Sequence, residues 1–258
     1  MRLEGKVAIV TGGGSGLGRA GAAAFAREGA KVLVSDVNDA TAQATVAAIA
    51  ERGGAARACV ADAGNPADAE RMVRAAVDAF GALHILYNNA GIAVPFQDGF
   101  TPAVEPEVWD RVIRVNLSSV FYCSKYAIPE IAKAGGGAII NTASSMAHLP
   151  LGGLDGYAAS KGGVAMLTKS MAVGCAGLNI RVNAISPGYV DTPMNALIFG
   201  SDEMKQAFAR GHMTGLQTPE EIADLVVFLA GDDARSLTGA VINCDRGWTA
   251  FKQPELLR

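Results

Sequence analysis

Val7-Ala-Ile-Val-Thr-Gly-Gly-Gly-Ser-Gly-Leu-Gly18 is a short apolar run that breaks into a glycine cluster. Arg19 to Glu28, rich in good helix formers, follows, and Gly29 stops it. Strand, glycine turn and helix in that order predict the first half of a strand–helix–strand unit. Glycines at such a turn let the backbone come close to a ligand. The helix start offers its unpaired N–H groups to an anion. Two registers fit. Gly16-x-Gly18-x-x-Gly21 matches a general phosphate-binding pattern but begins several residues beyond the strand. Gly12-x-x-x-Gly16-x-Gly18 begins directly after it and is preferred. Gly21 then falls inside the helix, where close packing on a sheet accounts for it. A flexible loop without a ligand is the plainer reading, but the cluster stands where the motif requires it.

The same alternation continues outward. Strands are predicted at Lys31–Ser35, closed by Asp36, at Arg57–Val60, ending at Asp62, and at His84–Tyr87, running into Asn88-Asn-Ala-Gly91. Further strands are expected at Ala138–Thr142, Ile180–Ile185 and Ala240–Asn243. Helices are expected over 39–52, 66–80, 107–133, 157–176 and 219–230. Ile92 to Pro106 reads as a Pro- and Gly-rich loop, and Tyr189 to Gln217 shows only weak helix. Short, continuous apolar strands are what a sheet covered by helices on both faces requires. The fold class is α/β, a doubly wound parallel sheet of about seven strands in one domain over residues 1–258. Ligands of such sheets bind beyond the C-terminal strand ends. Gly12–Gly18, Asp36, Asp62, Asn88–Gly91, Ser144 and Pro187-Gly188 all follow predicted strands and are expected to share one rim.

Composition narrows the function. Half of the 258 residues are hydrophobic, enough for a large core, and the formal net charge is −3. No basic run points to nucleic acid. No apolar run is long enough to span a bilayer and no signal core precedes the first strand, so a soluble cytoplasmic protein is expected. Cys59, Cys123, Cys175 and Cys244 are far apart and read as buried free thiols. The three histidines, His84, His148 and His212, show no metal-ligand spacing, so no metal is expected.

Tyr157 and Lys161 lie four residues apart. A helix from Gly156 puts both on one face. A phenol beside an ammonium is drawn toward its phenolate and so toward general acid/base work. By itself the pair is a common helical spacing. Asp36, at the end of the second strand, is placed to accept hydrogen bonds from the ribose hydroxyls of NAD and to repel the extra phosphate of NADP. Neither Ser35 nor Val37 supplies a compensating cation. The plain reading of Asp36 is a turn residue. Asp62 either caps a turn or hydrogen-bonds an adenine.

Thr11-Gly-x-x-x-Gly-x-Gly18, Asp62, Asn88-Asn-Ala-Gly91, Asn116, Ser144, Tyr157-x-x-x-Lys161 and Pro187-Gly188, in this order, resemble the short-chain dehydrogenase/reductase family from about Gly5 to Trp248. The resemblance implies a Rossmann-type domain and hydride transfer between a nicotinamide and an alcohol/carbonyl pair. It implies that Tyr157 exchanges the substrate proton and that Lys161 lowers its pKa and binds the nicotinamide ribose. It implies that Ser144, rather than its neighbour Ser145, polarises the substrate oxygen, and that Asn116 holds a water linking Lys161 to solvent. Gly12, Ser15, Gly16, Leu17 and Gly18 would hold the pyrophosphate, with Asp36, Asp62, Ala63, Asn89 and Ala90 along the adenosine. Pro187, Gly188, Val190 and Thr192 would grip the nicotinamide end.

Three departures stand out. Ala63 is smaller than the family's usual residue, Cys244-Asp-Arg-Gly247 brings in Arg246, and the tail runs on to Arg258. The substrate wall is expected from residues 145–154, the loop near Phe96 and a lid over 189–215. Ser144, Met146, His148, Leu154 and Tyr157 are its nearest members, with Leu149, Leu151, Tyr189, Met194, Leu197, Ile198 and Phe199 behind them. This apolar set points to a medium-sized apolar or cyclic secondary alcohol or ketone. Helices 117–131 and 162–176 lack an obvious water face, which suggests a dimer or tetramer. The rival readings are an NADPH-dependent reductase of ketones or 3-oxoacyl thioesters, and a dinucleotide-binding regulator without catalysis.

Overall fold

The computed structural model describes residues 1–250, so the tail from Phe251 to Arg258 and the side chain of Leu197 lie outside the described residues. β1 (Val7–Thr11) leads through the glycine turn into α1 (Gly16–Arg27), then β2 (Lys31–Asp36), α2 (Asp39–Ala50), β3 (Ala55–Val60) and α3 (Pro66–Phe80). β4 (Ile85–Asn88), α4 (Pro106–Ile113), α5 (Ser119–Lys133), β5 (Gly137–Thr142), α6 (Asp155–Gly174) and β6 (Ile180–Pro187) follow. The chain then forms α7 (Pro193–Phe199), α8 (Asp202–Gly211), α9 (Pro219–Ala230) and β7 (Val241–Cys244). The seven strands are parallel in the order β3-β2-β1-β4-β5-β6-β7. After β3 the chain returns to lay β4 beside β1, so the strand order reverses between those two. That reversal opens the crevice in which ligands of this architecture bind.

Strand alternation decides which face each residue serves. Ala8 and Val10 of β1 turn toward Phe25 of α1 and Val226 of α9. Ile9, between them, packs with Met72 of α3 and Ile131 of α5 on the other face. Each such buried Ile, Phe or Met contributes roughly 1.5–3 kcal/mol. Three cysteines are buried and all four are free. Among the described residues no helix is long and apolar enough to cross a membrane. None of them group three or more His, Cys, Asp or Glu side chains as a metal site.

Two expectations about helices change. The helix expected over 107–133 is interrupted by a π-helical turn at Arg114–Ser118. Its cause is tertiary. The Asn116 carboxamide accepts a bond from Ile92 N (2.8 Å) and donates to Ile92 O (2.9 Å), which pins this turn to the loop after β4. The weakly helical segment 189–217 forms two real helices, α7 and α8, held by an aromatic cluster. Tyr189 packs on Phe208 at 4.3 Å and on Trp248 at 5.2 Å between ring centres.

Candidate active site

A cleft of about 310 Å³ runs along the C-terminal ends of the strands, within the size range of small-molecule sites. At one end is the glycine turn. Gly12 (φ 63°) and Gly16 (φ 49°) take left-handed backbone conformations that other residues adopt only with strain. Asn38, Asn65 and Thr218 cap their own helices, but Ser15 at the start of α1 makes no side-chain cap. The first turn of α1 therefore presents its N–H groups to the cleft, which is the donor set a pyrophosphate requires. Gly18 lies just behind the cleft lining, where α1 meets the loop. A Cβ there would stand 2.1 Å from Gly12 O, so Gly18 lets helix and loop meet.

Asp36 ends β2 half-exposed. Its carboxylate accepts from Gly14 N (2.9 Å) and Asn38 N (3.0 Å), which fixes its direction at the cleft wall. Arg19, beyond the glycine turn, donates to Gly14 O at 2.6 and 3.0 Å and so braces the turn that Asp36 also holds. Asp62 lines the cleft beside Ala63, yet both its oxygens are engaged. One accepts from Gly64 N (2.8 Å) and the other pairs with Arg114 (2.7 Å). Asn89 and Ala90 also line it. The Asn89 amide holds Thr11 O (3.0 Å) and Gly12 O (3.3 Å), so it staples the two rim loops together.

Deeper in, Ser144 follows β5, and its hydroxyl accepts from Met146 N at 3.2 Å to start a single 3-10 turn. Tyr157 and Lys161 project from α6 as the spacing predicts. The Lys161 ammonium lies 5.6 Å from the Tyr157 ring centre and donates to Thr142 O at 2.7 Å. Burial sets both titrations. It pushes the Tyr157 phenol up, with a Ser144 hydrogen bond pulling the other way, and pushes Lys161 down to about 8. In the protein alone, then, the phenol's net shift is upward rather than toward the phenolate. Asn116 lies behind the cleft wall. It is fully buried and donates to Ser160 Oγ (3.1 Å), which in turn donates to Tyr157 O (2.7 Å). Gly91 separates it from the lysine: a Cβ there would meet Asn116 Oδ1 at 3.3 Å and Lys161 Nζ at 3.5 Å.

The far wall is formed by Met146, Leu154, Tyr189, Met194 and Ile198. Pro187, Gly188, Val190 and Thr192 line the stretch between it and the glycine turn. His148 does not line the cleft. It is exposed, and its Nε2 lies 3.1 Å from Ser186 Oγ. That contact anchors the ring on a buried serine next to Pro187, at the edge of the cleft. Leu149 and Leu151 are likewise outside the lining, Phe96 is 97 % exposed, and Phe199 is buried behind Tyr189. Sequence reading missed His212, a buried imidazole. Its Nε2 accepts from Tyr189 N (3.2 Å) while Nδ1 faces Phe208 O (2.8 Å), and burial lowers its pKa. Arg246 donates to Thr214 O and Leu216 O and pairs with Glu221, tying the chain after β7 to the segment before α9.

The family profile described as Enoyl-(Acyl carrier protein) reductase matches residues 12–249. Cyclohexanol dehydrogenase from Acinetobacter sp. (strain SE19) is 42% identical over 249 residues, covering 96% of this chain and 97% of that protein. The chain belongs to the short-chain dehydrogenase/reductase family. A 2,5-dichloro-2,5-cyclohexadiene-1,4-diol dehydrogenase from Sphingobium indicum is 40% identical, over 96% of this chain and 98% of that one. The solved structure of a putative short-chain alcohol dehydrogenase from Sinorhizobium meliloti 1021 superposes with a TM-score of 0.90. It is 33% identical and covers 97% of this chain and 98% of that one. The chain is an oxidoreductase of the short-chain alcohol dehydrogenase kind, and it uses a nicotinamide dinucleotide.

Proposed function

We propose that this member of the family oxidises medium-sized cyclic or apolar secondary alcohols with NAD⁺, and reduces the matching ketones with NADH. The observation that carries it is the pairing of Ser144 and Tyr157 with an apolar wall of Met146, Leu154, Met194 and Ile198. Such a site holds one hydroxyl and surrounds its carbon skeleton with apolar surface. The names of the relatives, cyclohexanol and cyclohexadiene-diol dehydrogenases, support the same class of substrate.

Each residue then has a part. The uncapped start of α1, with Gly12, Ser15, Gly16 and Leu17, holds the pyrophosphate. Asp36 accepts from the adenosine ribose hydroxyls, and Asp62, Ala63, Asn89 and Ala90 border the adenine side. Pro187, Gly188, Val190 and Thr192 border the nicotinamide. Bound there, the dinucleotide supplies the ring that exchanges hydride with the substrate carbon. Ser144 holds the substrate oxygen, and Tyr157 takes its proton in oxidation or returns it in reduction. Lys161 fixes the ribose and carries positive charge beneath Tyr157. Asn116 anchors the turn at which protons pass from Lys161 toward solvent. α7 and α8 form a lid over the substrate end of a single-domain enzyme.

A panel of secondary alcohols with NAD⁺ and NADP⁺, followed by absorbance of the reduced cofactor, tests this reading. Turnover of cyclic alcohols with NAD⁺ is expected. Absence of turnover across the cyclic members overturns the substrate class. Asp36→Ala is expected to shift the NAD/NADP ratio of kcat/KM by on the order of tenfold toward NADP, as charge-assisted bonds to the ribose are lost. An unchanged ratio rules out the ribose role. The NADPH-dependent reductase is the second reading, favoured by Arg19 beside the glycine turn; a preference for NADP in the wild type would establish it.

We also propose a dimer or tetramer through α5 and α6. Phe121 of α5 is 50 % exposed and Met166 and Val173 of α6 are 64 % and 80 % exposed, an apolar surface that a second copy would cover. Light scattering at micromolar concentration is expected to give at least twice the chain mass; a monomer refutes it.

A further inference from the structure

The loop 92–106 was expected to offer Phe96 to the substrate, but Phe96 points to solvent. Its buried member is Asp98, 2 % exposed. The Asp98 carboxylate reaches the start of α6 and accepts two backbone bonds, from Gly156 N (2.9 Å) and from Tyr157 N itself (2.8 Å). A carboxylate at a helix N-terminus satisfies donors the helix cannot and meets the positive end of its dipole. Here the residue that precedes α6, Leu154, provides no side-chain cap, so the cap comes from elsewhere in the chain.

The loop is shaped for this. Gln97 N and Asp98 N both donate to Val94 O, at 3.1 and 2.9 Å, closing a tight turn. Phe96 at its tip has φ 70°, a left-handed conformation that costs a non-glycine residue energy. Gly156 leaves room for the carboxylate, because a Cβ there would stand 3.2 Å from Asp98 Oδ1. A second clip lies beside the first. The Asp155 carboxylate accepts from Thr101 N (2.9 Å) and Thr101 Oγ1 (2.6 Å). Only the Asp98 clip reaches the residue whose phenol does the chemistry.

We infer that Asp98 is a positioning residue: its buried carboxylate holds the backbone of Tyr157 and so sets where the phenol meets the substrate oxygen. This rests on the reading of Tyr157 as the proton-exchanging group. A displacement of about 1 Å at such a group is worth on the order of a hundredfold in rate.

The test compares Asp98→Asn, Asp98→Ala and Asp155→Ala with the wild type, using NAD⁺ and cyclohexanol or the best alcohol of the panel. Asp98→Asn keeps the shape but offers only one acceptor, and kcat is expected to fall about tenfold; Asp98→Ala is expected to lose about a hundredfold. The NADH dissociation constant, read by fluorescence titration, is expected to stay within about twofold, since the cofactor contacts lie elsewhere. Asp155→Ala frees the loop but leaves the Tyr157 clip, and is expected to keep kcat within about threefold. Wild-type kcat in Asp98→Asn overturns the inference. So does an equal kcat loss in Asp155→Ala, which would make loop anchoring the cause, or a parallel loss of NADH binding, which would make the effect structural. Should Asp98→Ala fail to fold, the isosteric Asn variant still decides. Turnover by Tyr157→Phe would sink the reading of Tyr157, whereas an inactive Tyr157→Phe with a fully active Asp98→Asn sinks only this inference.

Discussion

Tyr157→Phe is expected to lower turnover in both directions by about 10²- to 10⁴-fold, the usual worth of a general acid/base. NADH affinity is expected to be nearly unchanged. The substitution removes one oxygen and leaves the ring, the helix and the Asp98 clip in place. Ser144 can still hold the substrate oxygen, but the phenol oxygen that exchanges its proton is gone. The pH dependence follows from the burial of this phenol. Because burial raises its pKa and the Ser144 bond offsets only part of that, the protonated form dominates at neutral pH in the protein alone. Oxidation needs the phenolate, so its rate is expected to climb as pH rises; reduction needs the phenol and is expected to fall over the same range. Initial rates in both directions across pH, for wild type and variant, check this. A variant that keeps wild-type turnover and the same pH slope removes Tyr157 from the mechanism.

Gly18→Ala is expected to be nearly as damaging, through binding instead of chemistry. The new Cβ would lie 2.1 Å from Gly12 O and 2.6 Å from Asn89 Nδ2. Gly12 O is backbone, so the turn itself must move. Overpacking of this kind costs about 1–3 kcal/mol of stability. The larger effect falls on the cofactor. Moving Gly12 and Asn89 parts the two rim loops and misaligns the N–H groups at the start of α1, and each hydrogen bond lost to a charged pyrophosphate costs about 1.5–3 kcal/mol. NADH titration and thermal unfolding together check it: affinity is expected to fall by more than tenfold with only a modest drop in Tm. Retained affinity would mean the turn tolerates a side chain, and the preferred glycine register would be wrong.

Much of this enzyme was legible in its sequence because the informative signals are local. The apolar run Val7–Val10 and the glycines after it need only their neighbours to specify a strand and a tight turn. The strand–helix alternation then leaves a parallel sheet as the arrangement that buries both faces. The rim residues were legible for the same reason, since each directly follows a strand and strand ends share an edge. Boundaries were less secure. α1 begins at Gly16, inside the cluster and three residues before the expected start at Arg19, because glycine's low helix propensity gives no local helix signal there.

Other features had no local signal. His148 and Met146 are two residues apart, yet Met146 lines the cleft while His148 stays outside the lining with its ring on Ser186, since a 3-10 turn rather than a strand or helix separates them. The π turn at Asn116 arises from bonds to Ile92, twenty-four residues away. Arg19 braces the glycine turn through the Gly14 carbonyl, a contact that no residue type or spacing in the cluster signals.

The sequence alone determined the sheet, its glycine-turn cofactor end and the Tyr157–Lys161 face of α6, because periodicity and turn chemistry act over a few residues. The tertiary structure decided how that face is held. Asp98 reaches Tyr157 across fifty-nine positions of chain, and His212 reaches Tyr189 across twenty-three. Such contacts depend on where loops return after the sheet has formed, and no spacing rule along the chain encodes that.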